Sequence, residues 1–220
     1  MKAMILAAGR GERMRPLTDS IPKPLLEVQG KPLILWHIEK LSQCGFSEIV
    51  INIAHLGYKI PELLGNGSQY GVSISYSDEQ KSGALESAGG IKKALPLLGQ
   101  ETFLVVNGDV FCDYNFDPNF QLYDKKAHLI LVNNPSHNPN GDFGLDDTLV
   151  LNKTQKMYTF SGIGYYNPSL FEDTPVGKSA LAPLLRKEIE LKNISGEIYT
   201  GEWNDIGTPQ RLEDINKGHK

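Results

Sequence analysis

Short apolar runs recur along the chain, separated by amphipathic or turn-rich stretches. Residues 3–7 (AMILA) run straight into Ala8-Gly9, the pattern of a strand buried on both faces. EIVINI at 48–53 repeats it, and further strands are expected at 72–76 (VSISY), 102–106 (TFLVV) and 128–132 (HLILV). From Pro32 to Gln43, Ile34, Ile38 and Leu41 recur at helical spacing. Pro32 suits the first helical position and Gly45 the stop. A short helix is expected at 55–64 with a break near Pro61, another at about 89–97, and another near 117–125. Pro16, Pro22 and Pro24 make Gly9–Lys31 a loop rather than a helix. After the turn-rich stretch NNPSHNPNGD at 133–142, shorter antiparallel strands are expected within 143–165. Helices near 179–191 and 208–217 then bracket a strand at 197–203.

This alternation through residue 132 predicts an α/β fold of Rossmann-like, three-layer α/β/α type: a mostly parallel central sheet covered by helices, with a small second lobe. The 220 residues fit one domain over 1–220, without an internal repeat or a separating linker. Lys and Arg total 22 against 26 Asp and Glu, a net charge of −4. No basic field is available for a nucleic-acid backbone or an anionic membrane, so neither partner is expected. The opening MKAMILAA is too short for a secretory core of about 7–15 residues and is followed by arginines. Two cysteines, Cys44 and Cys112, cannot build a disulfide framework. A cytoplasmic monomer is the expectation.

The loop Leu6 to Pro24 (LAAGRGERMRPLTDSIPKP) carries the densest chemistry. Glycines just after a buried strand let the backbone approach a ligand and turn N–H groups toward phosphate oxygens. Arg10, Arg13, Arg15 and Lys23 place four cations in one loop of an acidic chain. Any one arginine reads as a solvated surface residue; Gly9, Gly11, Arg13, Pro16 and Lys23 together read as a polyphosphate site. GxGxxG fails at Met14, GxxxxGK[ST] and GxSxG are absent, and no histidine among His37, His55, His128, His137 and His219 has metal-ligand spacing. VVNGD sets Asp109 at the end of a strand, and EWNDIGT sets Asp205 before the last helix. Alone, each is a turn residue or a cap; as a pair they suit Mg²⁺, which takes one or two carboxylates plus phosphates and waters. ALESAGGI at 84–91 combines small residues with a helix start, where a flat base can lie against backbone.

These motifs resemble those of the sugar-1-phosphate nucleotidylyltransferases, whose opening runs roughly L-A-G/A-G-x-G-T-R-[LM]-x-P-x-T…P-K. The likeness extends over almost the whole chain. It implies a glycosyltransferase-A-like nucleotidyltransferase core that uses Mg²⁺ to join UTP and a sugar 1-phosphate. Residues 1–132 would mainly bind the nucleotide; residues 133–220 would bind the sugar and supply the second metal carboxylate. Arg13 and Lys23 match the catalytic positions, and Asp109 and Asp205 the metal positions. Nucleotide contacts are implied at Leu6, Ala8, Gly9, Gly11, Glu12, Arg13, Glu86, Ser87 and Gly89, and sugar contacts at Asn107, Gly141, Asp142, Ser161 and Gly162. Glu12 replaces the usual threonine, Glu86 and Ser87 replace glycine and threonine, and Phe160 stands where asparagine is common. No acid occurs between Asp147 and Glu172, where many members carry a sugar-binding glutamate. The missing acid and Phe160 imply an unusual sugar with a bulky substituent. A glucose-, mannose- or glucosamine-type phosphate, a non-catalytic nucleotide sensor and a nicotinamide-dependent dehydrogenase remain the rivals.

Overall fold

The computed structural model describes residues 1–81 and 83–218, so His219 lies outside the described residues. The first half comprises β1 (Lys2–Leu6), a small hairpin of β2 (Glu27–Val28) and β3 (Lys31–Pro32), α1 (Leu33–Gln43), β4 (Glu48–Ile53), α2 (Lys59–Leu64), β5 (Ser73–Asp78), α3 (Glu86–Leu98), β6 (Phe103–Asn107), β7 (Val110–Cys112) and β8 (Ala127–Val132). The second half comprises β9 (Phe143–Asp146), β10 (Leu149–Leu151), β11 (Met157–Tyr166), α4 (Leu181–Glu190), β12 (Ile194–Tyr199), β13 (Trp203–Asp205) and α5 (Pro209–Lys217).

Nine strands form the main sheet in the order β5-β4-β1-β6-β11-β8-β12-β10-β9. β1 runs parallel to both β4 and β6, with Met4 opposite Val50 and Val105. β11 is antiparallel to β6 and β8, and β12 is parallel to β8. β9 pairs with both β10 and the start of β11, so the last strands curl back on themselves. Side chains alternate across this sheet with period two. Ala3, Ile5, Ile49, Ile51, Leu104 and Val106 join the core that takes Ile34, Ile38 and Leu41 of α1. Met4, Val50, Phe103 and Val105 join the opposite core, under Ala88, Ile91 and Ala94 of α3 and Leu185 of α4. The apolar stripe of α1 is thus spent on one face and that of α3 on the other, giving the three layers expected.

Three expectations differ. Residues 117–125 are not a helix. The Asp117 carboxylate accepts the Asn119 N–H at 2.8 Å, a local bond that competes with helix formation. The Asp117 N–H is also taken, by the Tyr165 hydroxyl at 2.8 Å, and Phe120 stacks on Tyr165 with centroids 4.3 Å apart. The expected strand at 197–203 is two strands in different sheets. β12 ends at Tyr199, and the chain then leaves the main sheet so that Trp203–Asp205 can pair with β7. Pro61 does not break α2, because it lies in the first turn, where its missing N–H has no intrahelical partner to lose. The proline-rich loop holds three 3₁₀ turns, at Glu12–Met14, Leu17–Asp19 and Lys23–Leu25, and no α-helix.

Candidate active site

A cavity of about 1040 Å³ opens at the carboxyl ends of β1, β4, β5 and β6. In an open α/β sheet this is where ligands bind. Leu6, Ala8, Gly9, Gly11, Glu12 and Arg13 line it from the loop after β1, joined by Lys23, Asn107 and Asp109. Glu86 and Ser87 line it from the first turn of α3.

The loop is built by its own turns. Gly11 sits at φ 64°, where a side chain is strained, and its carbonyl accepts from Met14 N–H and Thr18 Oγ1, both at 2.8 Å. Met14 is fully buried and anchors the turn that carries Arg13. Pro24 is buried beside Lys23, whose Nζ reaches Asp109 Oδ2 at 2.5 Å. The Lys23 side chain is only 12% exposed, so this pair is shielded compared with Arg10 and Glu12, 3.9 Å apart and mostly in solvent. His37 of α1 is buried in the field of Asp109. Burial lowers its pKa to about 4, against the pull of that negative charge, so the imidazole is neutral at pH 7.

Asp205 lies apart. It lines a second cavity of about 380 Å³, with both carboxylate oxygens 2.5 Å from Arg211 Nη1 and Oδ1 3.0 Å from His137 Nε2. The Ile206 N–H donates to the Asp109 carbonyl at 2.7 Å, so the backbones at the two acids run side by side while the acids hold separate cations.

Other expected contacts are not brought to the main cavity. Gly89 does not line it, because it packs on the 177–179 segment: its N–H donates to Ser179 O at 3.0 Å. Gly141, Asp142, Ser161 and Gly162 also lie outside its lining. Asp142 Oδ2 accepts from Phe160 N–H at 2.8 Å and from Asn138 Nδ2 at 3.2 Å, which shapes the second lobe. Ser161 is 1% exposed and its hydroxyl accepts the Ile163 N–H. Gly162 packs directly on the side chain of Asn107, which lines the cavity.

Residues outside the motifs complete the lining. Asn52, Glu79 and His55 contribute to it, and Lys178 reaches over from the second half to within 3.3 Å of Glu86. His55 and His137 face the two cavities despite lacking metal-ligand spacing. The available signals were an asparagine inside the apolar run EIVINI and a glutamate closing the next strand. Nothing near Lys178 in the sequence ties it to a site reached only by folding.

The nucleotidyl transferase family profile matches residues 2–220. The chain is 55% identical over 223 positions to the N-acetylmuramate alpha-1-phosphate uridylyltransferase of Neisseria meningitidis serogroup B, covering 97% of this chain and 96% of that protein. It is 38% identical over 141 positions to the UTP–glucose-1-phosphate uridylyltransferase of Synechocystis, covering 60% of this chain and 36% of that protein. A solved Bacillus anthracis structure, assigned as a glucose-1-phosphate thymidylyltransferase in complex with a sucrose, superposes with a TM-score of 0.84 at 25% identity. That match covers 99% of this chain and 94% of the other.

Proposed function

The chain belongs to the nucleotidyl transferase family and is a sugar-1-phosphate nucleotidyltransferase, and from that premise we propose that it joins N-acetylmuramate 1-phosphate to UTP and releases pyrophosphate. Support for that substrate pair is the likeness to the Neisseria enzyme over nearly the whole of both chains. The observation that carries the chemistry is the meeting of Arg13, Lys23 and Asp109 around one cavity beside a glycine-rich loop.

A sugar phosphate monoester has its second pKa at about 6 and is already ionised near neutral pH, so no covalent intermediate is required. One of its oxygens attacks the α-phosphorus of UTP in line. The bond from that phosphorus to the bridging oxygen breaks, and pyrophosphate leaves with the electron pair. The protein's work is positioning and charge neutralisation. Backbone amides at Gly9 and Gly11 cradle the triphosphate, and Arg13 and Lys23 neutralise the charge that grows on the departing pyrophosphate. Glu86 and Ser87 face the base. Asn107, backed by Gly162, faces the sugar, and Gly141, Asp142 and Ser161 shape the lobe around it.

Asp109 and Asp205 are the hard oxygen donors that Mg²⁺ takes together with phosphate and water oxygens. Among the described residues no three His, Cys, Asp or Glu side chains form a metal cage, which suits an ion completed by substrate. On this chemistry the two aspartates would hold Mg²⁺, Asp109 from the main cavity and Asp205 once released from Arg211 and His137. Bound there, Mg²⁺ supplies further neutralisation of the phosphate oxygens. The proposed setting is the cytoplasm, where the reaction would return a cell-wall sugar to nucleotide-linked form. Among the described residues no helix is long and apolar enough to cross a membrane.

The test is Mg²⁺-dependent pyrophosphate release from a panel of sugar 1-phosphates, each with ATP, GTP, CTP, UTP and dTTP. N-acetylmuramate 1-phosphate with UTP should give the highest kcat/KM. Lys23→Ala should keep the wild-type circular dichroism and lose turnover by at least ~100-fold. A preference for glucose or mannose 1-phosphate would reject the sugar, and no release with any pair would reject the activity.

A further inference from the structure

A line of buried hydrogen bonds runs through the lining of the main cavity and joins its two walls. At the head of the glycine loop, the Ala7 N–H donates to Asn52 Oδ1 at 2.7 Å. Asn52 Nδ2 donates to Glu79 Oε1 at 2.8 Å, and the Leu85 N–H donates to Glu79 Oε2 at 2.8 Å. Leu85 directly precedes Glu86 and Ser87 on the opposite wall, and its own carbonyl accepts the Ser179 N–H at 2.9 Å. Asn52 is 2% exposed and Glu79 fully buried, so water cannot stand in for a lost partner.

We propose that Asn52 and Glu79 are positioning residues for the nucleotide, holding the phosphate loop and the base wall at one fixed spacing. This rests on the reading of the cavity as the UTP site. The donor and acceptor order of the line explains the residue types. Ala7 N–H and Leu85 N–H are backbone donors at the two ends and cannot reverse. Asn52 must therefore present its oxygen to Ala7 and its amide nitrogen to Glu79. Residue 79 must then accept on both sides, which a carboxylate does and an amide does not. A glutamine at position 79 sets its nitrogen against a donor on one side or the other. An aspartate at position 52 sets a carboxylate against the Glu79 carboxylate. The two changes together restore the order. The carboxylate at position 52 then accepts from the Ala7 N–H and from the new amide nitrogen at position 79, whose amide oxygen accepts from the Leu85 N–H. The cavity's charge is then unchanged. A role in general packing predicts no such reciprocity, because two lesions would add.

The experiment compares the wild type, Asn52→Asp, Glu79→Gln and the double variant. It measures KM for UTP, KM for the sugar 1-phosphate, kcat, and equilibrium UTP binding by calorimetry. Each single change is expected to raise the UTP KM and dissociation constant on the order of 10-fold, the scale of one mismatched buried hydrogen bond. The KM for sugar phosphate should stay within about 2-fold, and the double variant should return to within about 3-fold of the wild type for UTP. Unchanged UTP constants in the single variants would overturn the proposal, as would a double variant no better than the worse single one. If a single variant does not fold, recovery of folded, UTP-binding protein in the double supports the proposal, and failure to recover overturns it. A wild type that binds no nucleoside triphosphate would overturn the reading of the cavity and this proposal together. A wild type that turns over UTP beside insensitive variants would overturn the proposal alone.

Discussion

His37 shows how far burial alone sets a side chain's behaviour. It occupies the inward stripe of α1 at 4% exposure, and its Nε2 has no hydrogen-bond partner among the described residues. Its folded pKa is about 4, against 6.5 for the free side chain. Between those values the unfolded chain takes up a proton that the folded chain does not, so stability falls as pH drops through that window and is intact above about 6.5. On going from pH 7 to pH 5 the loss from this residue is about 2 kcal/mol at most. His37→Leu should narrow the difference in urea midpoint between the two pH values, and an undiminished gap would show that His37 is not its source. The sequence marked His37 only as a histidine without metal spacing. That it packs behind Asp109 depends on α1 lying across β7, which no local pattern encodes. Arg13, Lys23 and Asp109 were legible because a glycine loop and a strand-end acid are local signals of a ligand. The sequence offered Asp142 as a sugar contact; in the structure its carboxylate goes to Asn138 and the Phe160 N–H, partners set by the curl of the second lobe.

At the scale of elements, the strong signals were those written by nearest neighbours. α5 is an example. Thr208 caps it by accepting the Arg211 N–H at 3.3 Å, Pro209 opens it, and only Ile215 of the helix is buried. With so little packing to hold it, the helix depends on its cap. Thr208→Ala should cost about 1 kcal/mol, read as faster amide exchange across residues 211–217 with little change elsewhere. Unaltered exchange there would mean that packing rather than the cap holds the helix. The same cap sets Arg211 beside Asp205, so a small local motif orders one of the two candidate metal carboxylates. The stretch 117–125 went the other way. A helix was expected there, yet an Asp117 turn and the stack of Phe120 on Tyr165 took its place. Helix propensity is worth tenths of a kcal/mol per residue, and the stack of half-buried Phe120 on buried Tyr165 exceeds it.

Across the whole molecule, the two halves share one sheet rather than meeting at a linker. β11, from the second half, lies between β6 and β8 and pairs with both. The two tryptophans report from different places: Trp36 packs edge-on to Phe111, and the Trp203 indole N–H donates to Ser161 O at 3.0 Å. Urea unfolding followed by far-UV circular dichroism and by tryptophan fluorescence should therefore give one coincident transition. Separate midpoints would show that the lobes unfold independently. The sequence by itself determined the α/β class, the parallel first half, the loop that carries the cations and the two acids, because period-two burial, proline and glycine act within a few residues. Only the tertiary structure decided which of these meet. It set Lys23 on Asp109 and His137 on Asp205, and brought Lys178 to the first-half cavity. It also ran the Asn52–Glu79 line between two walls. Those pairings lie from 27 to 92 residues apart in the chain, as Asn52–Glu79 and Glu86–Lys178 show, and are set by strand order and register, which local pattern does not carry; Asp205–Arg211, six residues apart, is set by the local cap of the last helix.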